Sequence, residues 1–218
     1  MRYADRRAAG LALAGRLLHL AGRPEVIVLG LPRGGVPVAA EVAGQLGAPL
    51  DVLVVRKLGV PWHRELAMGA IAPGGVRVLQ ERVIQRTGIR PYQVEAATER
   101  EAAELLRQQE LYRAGRPALD LTDRAPVLVD DGLATGASML AAVRAVRVLG
   151  ATEVIAAAPV GATDTVRKLA VEVDEVVVDQ APLNFGAVGQ WYADFGQVSD
   201  AEVLRALSGA AETGGAQG

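Results

Sequence analysis

The chain has 218 residues, a formal net charge of −2 at pH 7 and a hydrophobic fraction of 50%, enough for one well-cored domain with an appendage or two small domains sharing a core. The near-neutral balance gives no basic field to gather phosphates, which argues against a general nucleic-acid binder, and no apolar run approaches a membrane span. With no cysteine and only two histidines, His19 and His63, disulfides, thiolate chemistry and multi-histidine metal sites are excluded.

A soluble, cytoplasmic protein is therefore expected. At the N-terminus, Arg16 and His19 interrupt an apolar stretch whose Leu11, Leu17 and Leu18 fall at helical spacing. That predicts an amphipathic helix with Asp5 as its N-cap and Gly22 at its end, rather than a signal peptide. "EVIVLGL" (25–31) reads as a buried strand followed by the turn "PRGG", and 36–46 as a helix stopped by Gly47. "LDVLVV" (50–55) is a second buried strand, ending on Arg56 and Lys57. Lys57 stands out because the chain has 21 arginines and only two lysines. Residues 66–79 read as a hairpin turning at Pro73-Gly74-Gly75. From 80 to 114 the pattern is polar and helical, with a thin apolar stripe through Ala102, Leu105 and Tyr112, a helix laid on the surface.

"APVLV" (125–129), a helix over 136–149, "EVIAAAPVG" (153–161), a helix over 162–171 and "EVVVD" (175–179) then alternate. Unbroken apolar strands alternating with helices predict an α/β fold, a central parallel sheet with helices on both faces. The irregular stretch 180–198 breaks the rhythm and holds Phe185, Trp191, Tyr192 and Phe195, half of the eight aromatic residues. A last helix from about Asp200 to Leu207 precedes a tail, 209–218, expected to be disordered.

The stretch with most chemistry is "VLVDDGLATGASM" (127–139), where a buried strand ends on Asp130 and Asp131 and turns through small residues into a helix. Ligands of open parallel sheets bind beyond the carboxyl ends of the strands. A helix N-terminus there favours an anion, and Ala134, Thr135, Gly136, Ala137 and Ser138 let backbone amides and two hydroxyls wrap a phosphate. The aspartates repel that phosphate but suit adjacent hydroxyls attached to it, with Mg²⁺ able to share them. A phosphate beside a vicinal diol describes ribose 5-phosphate. Neither a Walker A tripeptide nor GxGxxG is present; simple helix capping by the aspartates is the bland alternative.

Residues 127–139 resemble the 5-phosphoribosyl-1-pyrophosphate (PRPP) motif of the type I phosphoribosyltransferases, and the element order from 25 to 179 is similar to that family's core. The resemblance implies a core over 1–179 with the insert at about 80–120, and a small hood over 180–208. It implies transfer of the 5-phosphoribosyl group to a nitrogenous acceptor, a nucleobase foremost, with release of pyrophosphate and Mg²⁺ as cofactor. Asp130, Asp131, Lys57 and Arg33 would be catalytic, the two aspartates holding the ribose hydroxyls. Arg33, Gly34, Gly35, Arg56 and Lys57 would meet the pyrophosphate, with a cis peptide at Pro32–Arg33. Relatives acting on 6-oxopurines carry an aspartate where this chain has Ala134, so a 6-oxopurine is the least expected acceptor. Phe185, Trp191, Tyr192 and Phe195 are candidates to stack on the acceptor, and His63 and Glu65 are acid–base candidates. PRPP and a small acceptor are the expected partners; nucleic acid and membrane are not, and a homodimer through the insert is left open. The alternative is a non-catalytic PRPP or nucleotide-binding regulator on the same fold, against which near-neutral charge and the lack of an added output domain count.

Overall fold

The computed structural model describes residues 2–214, save for the side chains of Arg64, Glu65 and residues 210–214. Five parallel strands form the central sheet in the order β2-β1-β6-β7-β8: β1 (Val26–Gly30), β2 (Leu50–Val52), β6 (Ala125–Val129), β7 (Ile155–Val160) and β8 (Glu175–Gln180). Alternation along β1 sends Val26 and Val28 to one face and Leu29 to the other. The first face is covered by α1 (Arg6–Arg16), α2 (Gly35–Leu46) and α7 (Asp200–Gly214), the second by α5 (Ala137–Val148) and α6 (Thr163–Leu169). No helix among the described residues is long and apolar enough to cross a membrane.

Several boundaries differ from the expectation for local reasons. Asp5 does cap α1, accepting from the Ala8 amide at 2.7 Å, but the helix ends at Arg16, and a 3₁₀ turn, Leu18–Leu20, completes the path to Gly22. Leu13 and Leu17 are buried there, whereas Leu11 and Leu18 face solvent. The strand expected over 50–55 stops at Val52, and Arg56 opens a new one. This β3 (Arg56–Val60) pairs antiparallel with β4 (His63–Ala72), which pairs with β5 (Val76–Leu79), a separate sheet. The last helix also runs past its expected end at Leu207, α7 continuing through Gly214 into the first part of the expected tail. Residues 215–218 lie outside the description.

The polar insert forms α3 (Glu81–Thr87) and α4 (Pro91–Arg113). Val94, Ala97, Leu105 and Tyr112 bury one stripe of α4. Its C-terminal end is pinned to the sheet by Arg113, whose guanidinium donates to both oxygens of Asp51 in β2 at 3.1 and 2.9 Å. The helix is thereby held beside the carboxyl ends of the strands.

α2 stops where Gly47 takes φ +64°, with open space where a Cβ would stand. Gly47→Ala should then cost only the left-handed backbone penalty, about 1 kcal/mol, and lower the thermal midpoint by about 2–4 °C. An unchanged midpoint would mean that the helix ends without that conformation.

Candidate active site

All five residues of β6 are buried, and the chain leaves this central strand at Asp130. The Asp131 amide donates to Asp130 Oδ1 at 2.9 Å, turning that carboxylate back onto its own loop. Leu133 then ties the loop to β7: its amide donates to the Val160 carbonyl, and its carbonyl accepts from Ala162, both at 2.9 Å. From behind, the Thr165 hydroxyl donates to the Ala134 carbonyl at 2.6 Å. Gly136, at φ +72°, opens α5 with no room for a side chain, since a Cβ would lie 2.7 Å from Thr165 Cγ2.

Tethered at those points, the backbone leaves the amides of Ala134 through Met139 without an acceptor among the described residues. They border a cavity of about 170 Å³ lined by Lys57, Asp130 and residues 132–139. Consecutive free amides at a helix N-terminus, with Ser138 and Thr135 beside them, make a cradle for a phosphate-sized anion.

The two aspartates divide in a way their adjacency conceals. Asp130 lines the cavity and has no ion-pair partner among the described residues. Asp131 is absent from that lining and is held by Arg6 of α1, which donates to its Oδ2 from Nε at 2.9 Å and from Nη2 at 2.8 Å. Arg6 also donates to the Gly196 carbonyl and lies over the Phe195 ring, 4.1 Å from its centroid. Burial pushes the Asp130 carboxyl above the ordinary range, and the charge of Asp131 adds to it. Burial also raises Asp131, opposed by the charge and hydrogen bonds of Arg6.

The loop after β1 packs against this strand end. The Pro32–Arg33 peptide is cis. Gly34 and Gly35 stand hard against the end of β6. A Cβ on Gly35 would stand 2.4 Å from the Val129 carbonyl oxygen, and one on Gly34 would stand 2.0 Å from Asp131 Oδ2. The close approach they permit is to the chain's own strand end. Arg33 reaches Asp200 at 3.7 Å, and that carboxylate also accepts from the Tyr112 hydroxyl. Arg56 is held by Glu101 of α4. Lys57, in no ion pair among the described residues, lines the cradle and also a larger neighbouring cavity.

That second cavity, about 630 Å³, lies between the loop at Pro32, β3 and α4. His63 is exposed and lines neither cavity, and the Glu65 side chain lies outside the described residues. Of the four aromatic residues expected to stack on an acceptor, two are buried, Trp191 is half-buried and Phe195 is exposed. Phe185 and Tyr192 are buried in a cluster with Tyr3, Ala9 and Val160. The Trp191 indole stacks on Phe185 and donates to its carbonyl. Arg6 covers a face of Phe195. The Tyr192 hydroxyl donates to the Asp131 carbonyl, so this aromatic group docks the hood onto the strand end. Arg6 escaped the sequence reading because it is one of several arginines on an amphipathic helix, 125 residues from its partner.

A model of the phosphoribosyl transferase domain matches residues 6–194, most of the chain. The chain belongs to that family. A Mycobacterium tuberculosis H37Rv protein named "Putative phosphoribosyl transferase Rv0571c" is 51% identical over 205 residues, 94% of this chain. The chain spans 46% of that relative's length. The crystal structure of TT1426 from Thermus thermophilus is 44% identical, superposes with a TM-score of 0.81, and covers 95% of this chain and 98% of its own. The α/β architecture and the phosphoribosyl transferase resemblance of the strand-end motif both hold.

Among the described residues no three histidines, aspartates or glutamates converge. Asp130, unpaired and facing the cavity, is a hard oxygen donor suited to a Mg²⁺ ion that keeps its waters and takes its other ligands from a phosphorylated substrate.

Proposed function

We propose that the domain binds PRPP with Mg²⁺ and transfers its 5-phosphoribosyl group to a nitrogenous acceptor, a nucleobase foremost, releasing pyrophosphate. The observation that carries this reading is the row of unbonded amides from Ala134 to Met139, facing a cavity whose remaining polar walls are Asp130 and Lys57. The amides and Ser138 would hold the 5-phosphate, and Asp130 would accept from the ribose hydroxyls. Lys57, at the junction of the two cavities, would meet the departing pyrophosphate. Mg²⁺, when bound, neutralises charge on the leaving group.

As the C1–O bond breaks, positive charge develops on the ribose. Asp131 is largely neutralised by Arg6, so Asp130 supplies most of the stabilising negative field. Ala134 offers no carboxylate, which leaves a 6-oxopurine the least expected acceptor. Calorimetric titration of the full chain with PRPP, with and without Mg²⁺, tests the reading. Saturable binding that strengthens with Mg²⁺ is expected, after which pooled bases scored by mass spectrometry identify the acceptor. No heat at millimolar PRPP would overturn it.

A further inference from the structure

The larger cavity contains charge that the reaction so far does not use. Its walls bring together Arg56 and Lys57 from β3 and Arg100 and Glu101 from α4, with Pro32 of the first loop and Ser138 of the cradle at its inner end. Arg56 donates from both Nε and Nη2 to a single oxygen of Glu101, at 3.1 and 2.8 Å, while Arg100 lies 3.7 Å from the other oxygen. Two guanidinium groups thus flank one carboxylate, with Lys57 unpaired on the same cavity wall, and the cavity shares Lys57 and Ser138 with the phosphate cradle.

We infer that Glu101 is an internal anion that occupies Arg56 in the unligated chain and is displaced by the pyrophosphate group of the substrate, with Arg100 as a further cation of the leaving-group site. The inference rests on the PRPP reading and adds residues of the inserted helix to it. An arginine fork that receives a carboxylate has the geometry to receive a phosphate oxygen pair instead. Glu101 is 19% exposed and Arg56 32%, so their attraction is only partly screened, and an entering anion must outcompete it. A pyrophosphate carries several charges and can do so, whereas a single phosphate competes poorly. Glu101 would thereby act as a filter against lone phosphates, a repulsive element that confers selectivity. Displacement need not undock α4, because Arg113 holds its far end to Asp51 independently.

The test compares three probes on the full chain by calorimetry: inorganic pyrophosphate with Mg²⁺, PRPP with Mg²⁺, and ribose 5-phosphate, which reaches the cradle but lacks the leaving group. Glu101→Gln keeps the side-chain shape and an acceptor oxygen while removing the charge. It should bind pyrophosphate and PRPP about tenfold more tightly, as expected for one close charge removed from a partly buried site, with ribose 5-phosphate affinity unchanged. Arg100→Gln, at a largely exposed position, should weaken the same two probes about tenfold and spare the third. Equal gains for all three probes would reduce Glu101 to a general field effect and overturn the inference, as would no gain for Glu101→Gln or no loss for Arg100→Gln. A wild-type chain that binds ribose 5-phosphate but neither pyrophosphate nor PRPP would sink the proposed reaction itself, a result separable from the others.

Discussion

Asp130→Asn is expected to cost at least about a hundredfold in Mg²⁺-dependent PRPP affinity, the penalty of removing one charged partner from a desolvated polar contact, while making the unligated chain more stable. Asp130 carries a charge into a buried corner beside Asp131, with only the Asp131 amide and the more distant Arg6 and Lys57 to compensate. Its carboxyl is raised in the folded state. As pH climbs above the ordinary carboxylate range, the unfolded chain releases this proton before the folded one does, and stability falls until the folded group also ionises. Asparagine removes that loss and keeps an oxygen for the Asp131 amide. The gain should be roughly 0.5–2 kcal/mol, or about 1–8 °C for a chain of this size. It should be present at pH 8 and shrink towards about pH 3, below the ordinary aspartate value of 3.8, where the wild-type group is mostly protonated in both states. Thermal unfolding at the two pH values, beside PRPP titration, separates the effects. Unchanged affinity would remove Asp130 from the ribose site, and an unchanged midpoint at pH 8 would mean that its charge is solvated.

Stability surrendered at a strand end is what a binding carboxylate would show, and that much was legible in the sequence. The apolar run into Asp130-Asp131 and the small residues up to Ser138 are local features, and local backbone geometry turned them into a row of free amides. Strands β1, β6 and β7 were readable for the same reason, since burial on both faces demands unbroken apolar runs; β8, at the sheet edge and only partly buried, carries an apolar run as well. Contacts between distant segments were not readable. Arg56 looks like a strand-end cation, and nothing within its own stretch reveals Glu101, 45 residues on. The glycines at 34 and 35 read as part of a pyrophosphate loop, and nothing local reveals that they also pack against Asp131 and Val129. The hood aromatics illustrate the limit most clearly. Four rings in 19 residues suit a stacking platform or a small core equally well, and only the arrival of Tyr3 and Ala9 from the N-terminus draws Phe185 and Tyr192 into a core, leaving Phe195 exposed.

That N-terminal docking makes Arg6→Met the most destabilising change expected. The methionine keeps apolar contact with Phe195 but leaves Asp131 buried without its cation, at 15% side-chain exposure. Breaking one partner of such a pair costs about 3–5 kcal/mol, which for this length is a fall of about 6–20 °C. Asp131→Asn should cost less, because Arg6 retains the Gly196 carbonyl, the Phe195 ring and the nearby charge of Asp130. Combining the two changes removes both charges, so the double variant should be more stable than Arg6→Met alone, with a coupling energy in the range of about 0.5–3 kcal/mol. Thermal unfolding of the four proteins measures it. Additive losses would mean that the pair contributes nothing as a pair. A large coupling would establish that Asp131, adjacent in sequence to the ligand-facing Asp130, serves first to fasten α1 and the hood to the end of β6, and that its effect on PRPP binding acts through that attachment.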